Sequence, residues 1–172
     1  MIALVLAAAL APPFPVAPGT FWVYRESYAE RRGDVDVVSD DDTRFEMHGT
    51  AARPLVVQTG GADPAGTAPI EVGEDWVRLG PWTGEEVLPL PLVVGASRPP
   101  DEEGRIGWTV EAEEEVVVPA GRFKALRCAL RTWHSESVLW IAPGVGVVRE
   151  TQGSPGRRPE IERVLLTAST IR

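Results

Sequence analysis

The sequence predicts a mainly β domain, an antiparallel sheet that curls toward a barrel, with a β-sandwich as the alternative. Three observations point there. Roughly eight to ten short alternating or apolar stretches follow one another at ~8–12-residue spacing. Clusters of Gly, Pro, Asp and Ser separate them, and the chain carries 17 glycines and 16 prolines to build them. No window places apolar residues at i, i+3, i+4 and i+7 between caps, so helix signals are few.

The elements follow in order. TFWVYRESYAE (20–30) is aromatic-rich and alternates, the mark of a half-buried strand. RRGDVDVVSDDDT (31–43) reads as a turn carrying an acidic run. TRFEMHGTA (43–51) alternates again, with Phe45 and Met47 on one face. PLVVQT (54–59) is a short strand, and GGADPAGTAP (60–69) is a loop by composition. Trp76, Val77 and Leu79 mark a strand within 70–80. EVLPLPLVVG (86–95) is apolar, but Pro89 and Pro91 keep it out of a central strand, so it reads as an extended edge segment. ASRPPDEEG (96–104) is a loop.

The last third is the most patterned. RIGWTVEAEEEVVV (105–118) reads as a long strand ending at Pro119. PAG (119–121) then fits a tight hairpin, with Pro119 setting φ and Gly121 accepting a positive φ. RFKALRCALRTW (122–133) returns with Leu126, Cys128 and Leu130 on one face and Arg127 and Arg131 on the other. ESVLWIA (136–142), the turn PGVG (143–146) and VVRET (147–151) follow. QGSPGRRP (152–159) turns the chain once more, and EIERVLLTAST (160–170) closes it as a strand.

Residues 20–172 thus form a single antiparallel β domain. Residues 1–19 differ. Ile2 to Ala11 is an unbroken apolar run, shorter than the ~20 residues of a membrane span and of the length of a secretory signal core. Ala7-Ala8-Ala9 and Ala9-Leu10-Ala11 offer small residues for cleavage, and cleavage after Ala9 avoids Pro12. No Lys or Arg precedes the run. A Pro-rich spacer (Pro12, Pro13, Pro15, Pro18) follows. The expectation is a signal peptide and spacer, and an exported, soluble protein, periplasmic or extracellular. Cys128 lies far from the apolar run, so no lipid anchor is expected, and one cysteine forms no internal disulfide.

Charge narrows the function. The net charge is -8, against nucleic acid and against a polybasic membrane-surface site. Catalytic constellations are missing from the sequence, which reads as that of a non-enzymatic protein. GSPG (153–156) lacks the pattern of a nucleophile elbow and suits a turn. His48 and His134 make a poor zinc site without a third partner. Cys128 and His134, six apart on one strand, stand about 20 Å apart by strand rise. SDDD (39–42) lacks the glycine and bidentate glutamate of a calcium loop and reads as a solvated turn. Glu113 and Glu115 share one strand face and Glu114 takes the other, which places that stretch at an edge or in solvent. No cofactor is expected.

Six tryptophans remain: Trp22, Trp76, Trp82, Trp108, Trp133 and Trp140. On a curled sheet they either fill the concave side or line a ligand cavity.

VVVPAGRFKALRC (116–128) and VLWIAPGVGVVRE (138–150) resemble a group of uncharacterised exported bacterial proteins with V-P-A-G-x-F and W-x-A-P-G-x-G-x-V-R motifs. The motif positions are Val118, Pro119, Ala120, Gly121 and Phe123, then Trp140, Ala142, Pro143, Gly144, Gly146, Val148 and Arg149. A more distant likeness is to the LolA/LolB-type lipoprotein-carrier fold, which implies an unclosed antiparallel barrel around an apolar cavity. In the cavity reading the candidate ligand-binding residues are Trp22, Tyr24, Trp76, Trp108, Trp140 and Arg149. Arg149 either faces the cavity mouth or pairs with a carboxylate across the sheet. Two functions stay open: binding of a hydrophobic molecule or lipid in a concave cavity, or an envelope module that pairs with a protein partner through a sheet edge such as 86–95.

Overall fold

The computed structural model describes residues 14–15, 17–32, 35–50, 53–60, 66–100, 106–157 and 159–169. The apolar run at the N-terminus, with its cleavage sites, and the middles of the two expected loops lie outside them.

Twelve strands form one antiparallel sheet: β1 (Phe21–Arg32), β2 (Val35–Thr50), β3 (Arg53–Gly60), β4 (Thr67–Val72), β5 (Trp76–Leu79), β6 (Val87–Pro89), β7 (Ser97–Arg98), β8 (Gly107–Val118), β9 (Gly121–Arg131), β10 (Glu136–Ala142), β11 (Gly146–Gly153) and β12 (Ile161–Ser169). One short helix, α1 (Gly80–Thr83), sits between β5 and β6. The strand order is β6-β5-β4-β3-β2-β1-β12-β11-β10-β9-β8-β7. All neighbours are sequential except β1 and β12, where the first and last strands pair, Phe21 opposite Ser169.

The sheet is a curled, unclosed barrel, and the chain itself joins the two edges. Residues 90–96 are the whole link from β6 at one edge to β7 at the other. A link of that length reaches at most about 25–30 Å. It is hydrogen-bonded at both ends, Leu90 N–H to Asp75 O (2.7 Å) and Gly95 N–H to Val110 O (2.8 Å). The Arg98 guanidinium of β7 pairs with the Glu86 carboxylate just before β6. So β6 is an edge strand, as its prolines require, and the segment 86–95 is a strap across the barrel seam.

Several sequence readings change: the strand within 70–80 is two strands, β4 and β5, the expected loops 60–69 and 96–104 lend residues to β4 and β7, and 80–83 is helical. The acidic run 39–42 lies inside β2, not in a turn. Its aspartates face β1 across a regular ladder, with Asp42 opposite Arg25 at 3.2 Å between Nε and Oδ1. Continuous pairing with the long β1 overrides the turn preference of aspartate.

The β8–β9 hairpin has its expected two-residue tip, Val118 pairing with Gly121 around Pro119 and Ala120. Burial switches faces along it. Near the sheet Cys128 and Leu130 are buried; toward the tip Val116, Val118 and Ala125, on the other face, are buried instead. A bulge at Glu111 lies between the two regimes. The tip then bends over the end of the β10–β11 hairpin, and Ala120 N–H donates to Leu165 O of β12 (3.0 Å), beyond the point where β11 leaves β12. The Glu-rich stretch behaves as charge alternation predicts: Glu113 pairs with Lys124 and Glu115 with Arg122 in solvent, while Glu114 accepts from Trp140 Nε1 on the opposite face.

Cys128 is buried in β9, and burial pushes its thiol up to about 12. At pH near 8 the thiolate fraction is then on the order of one in ten thousand. The folded protein should leave a thiol reagent unreacted over the time in which the urea-unfolded chain reacts fully; equal rates would place Cys128 at the surface.

Candidate functional site

Strand alternation sends Trp22, Tyr24 and Glu26 of β1 to the inner face of the curl, beside Thr43, Phe45 and Met47 of β2. Two rings from outside the sheet fill the space over them. Phe14 comes from the N-terminal approach, and Trp82 from α1, where Pro81 opens the helical turn. Trp82 stands 5.3 Å from Phe14, 6.3 Å from Trp22, 6.2 Å from Tyr24 and 5.2 Å from Phe45, ring centre to ring centre. These tilted and edge-on contacts are the favoured aromatic geometries. Trp22 Nε1 donates to Val145 O (2.7 Å) and Tyr24 OH to Val147 O (2.6 Å), so both polar handles are spent on the β10–β11 turn.

Below the aromatics, on the same face, lies a charged row. Glu26 is 1% exposed and Glu150 0%. Arg163 of β12 lies between them in register, opposite Glu26 on one side and Glu150 on the other. Its Nη1 donates to Glu150 Oε2 at 2.7 Å, and its Nε donates to Glu26. Thr43 Oγ1 donates to Glu26 at 2.5 Å and Tyr28 OH at 2.9 Å; Gln152 Nε2 donates to Glu150. Two carboxylates thus share one guanidinium.

Their environments push them apart. For Glu26, burial alone would raise the pKa, but the bond from Thr43, the charge and bond of Arg163 and the bond from Tyr28 outweigh it and hold the carboxyl below its ordinary value. For Glu150, burial dominates and raises the pKa despite Arg163 and Gln152, and the charge of Glu26 adds to it. Burial, and then the charge of Glu150, raises the Tyr24 phenol.

The six candidate residues do not converge. Trp22 and Tyr24 lie in the packed inner core. Trp140 pairs with Arg149, which pairs with Val164, next to the inward Leu165; this register puts Trp140 and Arg149 on the opposite face. There Trp140 is held between two guanidinium groups, Arg149 at 4.8 Å and Arg127 at 5.7 Å from the ring centre. Arg149 meets Glu162 at 2.7 Å, the cross-strand pair that was one of its two readings. Trp76 packs its indole on Gly73, where a Cβ would stand 2.2 Å from Nε1. Trp108 lines a surface pocket of about 380 Å³ beside the seam, with Arg98, Pro99, Pro100 and Arg131. Both arginines are already paired, Arg98 with Glu86 and Arg131 with Glu111 and Glu136.

Sequence reasoning passed over Glu26, Glu150, Arg163 and Phe14, and named Trp82 only as one of six tryptophans that fill the concave side or line a cavity. A signal was present for Glu26: it has the same parity as Trp22 and Tyr24, so it faces the same way. Arg163 has that relation to Leu165. Among the described residues no group of three or more His, Cys, Asp or Glu could hold a metal ion, and no helix is long and apolar enough to cross a membrane.

No family model matches the chain, and no curated protein matches it. Two solved structures share its fold. One is a Bacteroides fragilis protein described as exported and as having a YmcC-like fold. It has a TM-score of 0.58 and 13% identity over 91% of this chain and 98% of that one. The other is a Parabacteroides distasonis protein described as a lipoprotein, with a TM-score of 0.54 and 15% identity over 93% of this chain and 99% of that one.

Proposed function

We propose that this chain is an exported, non-enzymatic protein of the cell envelope that works through its outer surface and a sheet edge. One observation carries the reading: Phe14 and Trp82 pack on the inner face over Trp22, Tyr24 and Phe45, with ring centres 5.1–6.3 Å apart. Export is supported by the apolar N-terminal run and by the descriptions of the two proteins that share the fold. The edge that fits a partner strand is β8 beyond Val110. Residues 95–98 cover its outer side up to that point, and among the described residues no strand pairs with 111–118 on that side. Three consecutive glutamates there oppose pairing with a second copy.

A specific observation supports the cavity reading drawn from the lipoprotein-carrier likeness. Trp82 is buried and its Nε1 has no hydrogen-bond partner. A buried unpaired donor costs ~1–3 kcal/mol. In that reading Trp82 is a plug that a hydrophobic ligand with an acceptor atom would displace.

One experiment separates the two. Fatty acids and phospholipids are titrated into the purified chain while tryptophan fluorescence is followed, and a photo-crosslinker at the exposed Val117 is activated in exporting cells, with Val72 as the control position. A flat titration with one dominant adduct at Val117 and none at Val72 is expected. Saturable lipid binding would overturn the edge reading and favour the cavity.

A further inference from the structure

The inner-face triad is more than a buried ion pair, because its charges do not balance. Glu26 and Glu150 offer two negative charges to the single positive charge of Arg163, and both carboxyl groups are out of water. Among the described residues no other cation faces them. From β1 come Tyr24 and Tyr28, from β2 Thr43 and the exposed Asp41 directly opposite Glu26, from β11 Gln152; on β10 the neighbour of Glu150 is Leu139, and beyond it on β9 is the thiol of Cys128. An isolated buried charge is expensive, and a carboxyl group answers by keeping its proton. Only one of the two can be the charged partner of Arg163.

The hydrogen bonds identify which. Glu26 accepts from Thr43, Tyr28 and Arg163, a donor set suited to a carboxylate. Glu150 has one guanidinium bond and one amide donor, with Glu26 as a like-charged neighbour across Arg163. We infer that Glu26, Arg163 and Glu150 form a proton-loaded latch: in the folded sheet Glu150 holds a proton, and its release to solvent as pH rises loosens β11 from β12 and β1.

The signs follow by linkage. Glu150, raised in the folded state, contributes stability that is present below the ordinary carboxylate range and lost as pH rises through its folded value. Glu26, lowered, contributes stability that is present above the ordinary range and lost as pH falls through its folded value. An exported protein with such a pair would be tightest at mildly acidic pH.

The test is urea unfolding from about pH 4 to about pH 9 for the wild type, Glu150→Gln and Glu26→Gln, with carboxyl carbon NMR of the glutamate-labelled wild type. In the wild type the unfolding constant should rise by up to about tenfold per pH unit above the ordinary carboxylate range. Glu150→Gln should lose that rise and be at least as stable as the wild type at alkaline pH. Glu26→Gln, which removes the like charge across Arg163, should show a smaller rise and be less stable than the wild type at acidic pH. A rise that persists in Glu150→Gln, or a Glu150 carboxyl signal that titrates in the ordinary range, overturns the inference. The NMR arm needs only the wild type, so a variant that fails to fold leaves the inference testable.

Discussion

Arg163→Met is expected to cost about 3–5 kcal/mol at neutral pH, the usual cost of breaking a buried ion pair from one side. The physical reason is what remains. Glu26 stays buried as a carboxylate beside the Glu150 carboxyl, with no cation between them. A domain of this size has ~5–15 kcal/mol in all, so the variant would be marginal. Without the guanidinium both carboxyl groups should titrate above their unfolded values. Groups raised in this way contribute stability that is present below the unfolded value and lost as pH rises, so acid should partly rescue the variant. The triple change Glu26→Met, Arg163→Met, Glu150→Met should recover most of the loss, because no buried charge is left. It should not recover all of it, because Thr43 and Gln152 lose their acceptors. Urea midpoints at acidic and alkaline pH decide the matter. An Arg163→Met variant within about 1 kcal/mol of the wild type at alkaline pH would mean that the triad is better hydrated than its burial implies.

Much of the fold was legible because alternation and turn chemistry agree with each other in the last third. The strand 136–142, the PAG turn and the inward set Leu126, Cys128 and Leu130 needed no tertiary information: each is a local pattern, and the sheet accepts all of them in one register. The acidic run failed because the stability of a long hairpin arm comes from its partner strand, which a local reading does not see. The helix α1 failed for a related reason. GPWT has too few residues to show a period, and what fixes it is the seat of Trp82 among rings distant in sequence. Tryptophans were read as one class, yet four environments claim them: an aromatic core, a slot between guanidinium groups, single glycine or pocket contacts, and, for Trp133, solvent. Residue type alone does not select among these. Parity does: counting alternate positions from Trp22 through Tyr24 reaches Glu26, and a carboxylate on an apolar face requires a buried cation.

The second large effect concerns the APGVG turn, where the motif residues become physical. Gly146 has φ of 102°, in the region that favours glycine, and a Cβ there would stand 2.8 Å from the Phe14 ring. Gly144, in the same turn, has φ of 74° but open space around its missing side chain. Gly144→Ala should therefore carry only the backbone penalty, about 1–3 kcal/mol. Gly146→Ala should carry that penalty and an overpacking cost of about 1–3 kcal/mol more, because Phe14 is itself buried and cannot swing away freely. The excess should vanish in a Phe14→Ala background, which is destabilised in its own right by about 3–5 kcal/mol. The turn matters beyond its own conformation, since Val145 O and Val147 O accept the hydrogen bonds of Trp22 and Tyr24 and tie β1 to the β10–β11 hairpin across the inner face. A displaced turn would leave those two buried donors without acceptors. Thermal and urea unfolding of the two alanine variants, alone and with Phe14→Ala, would settle it. Equal losses at Gly144 and Gly146 would mean that the ring of Phe14 yields, and that the glycine at 146 is required for its backbone angle alone.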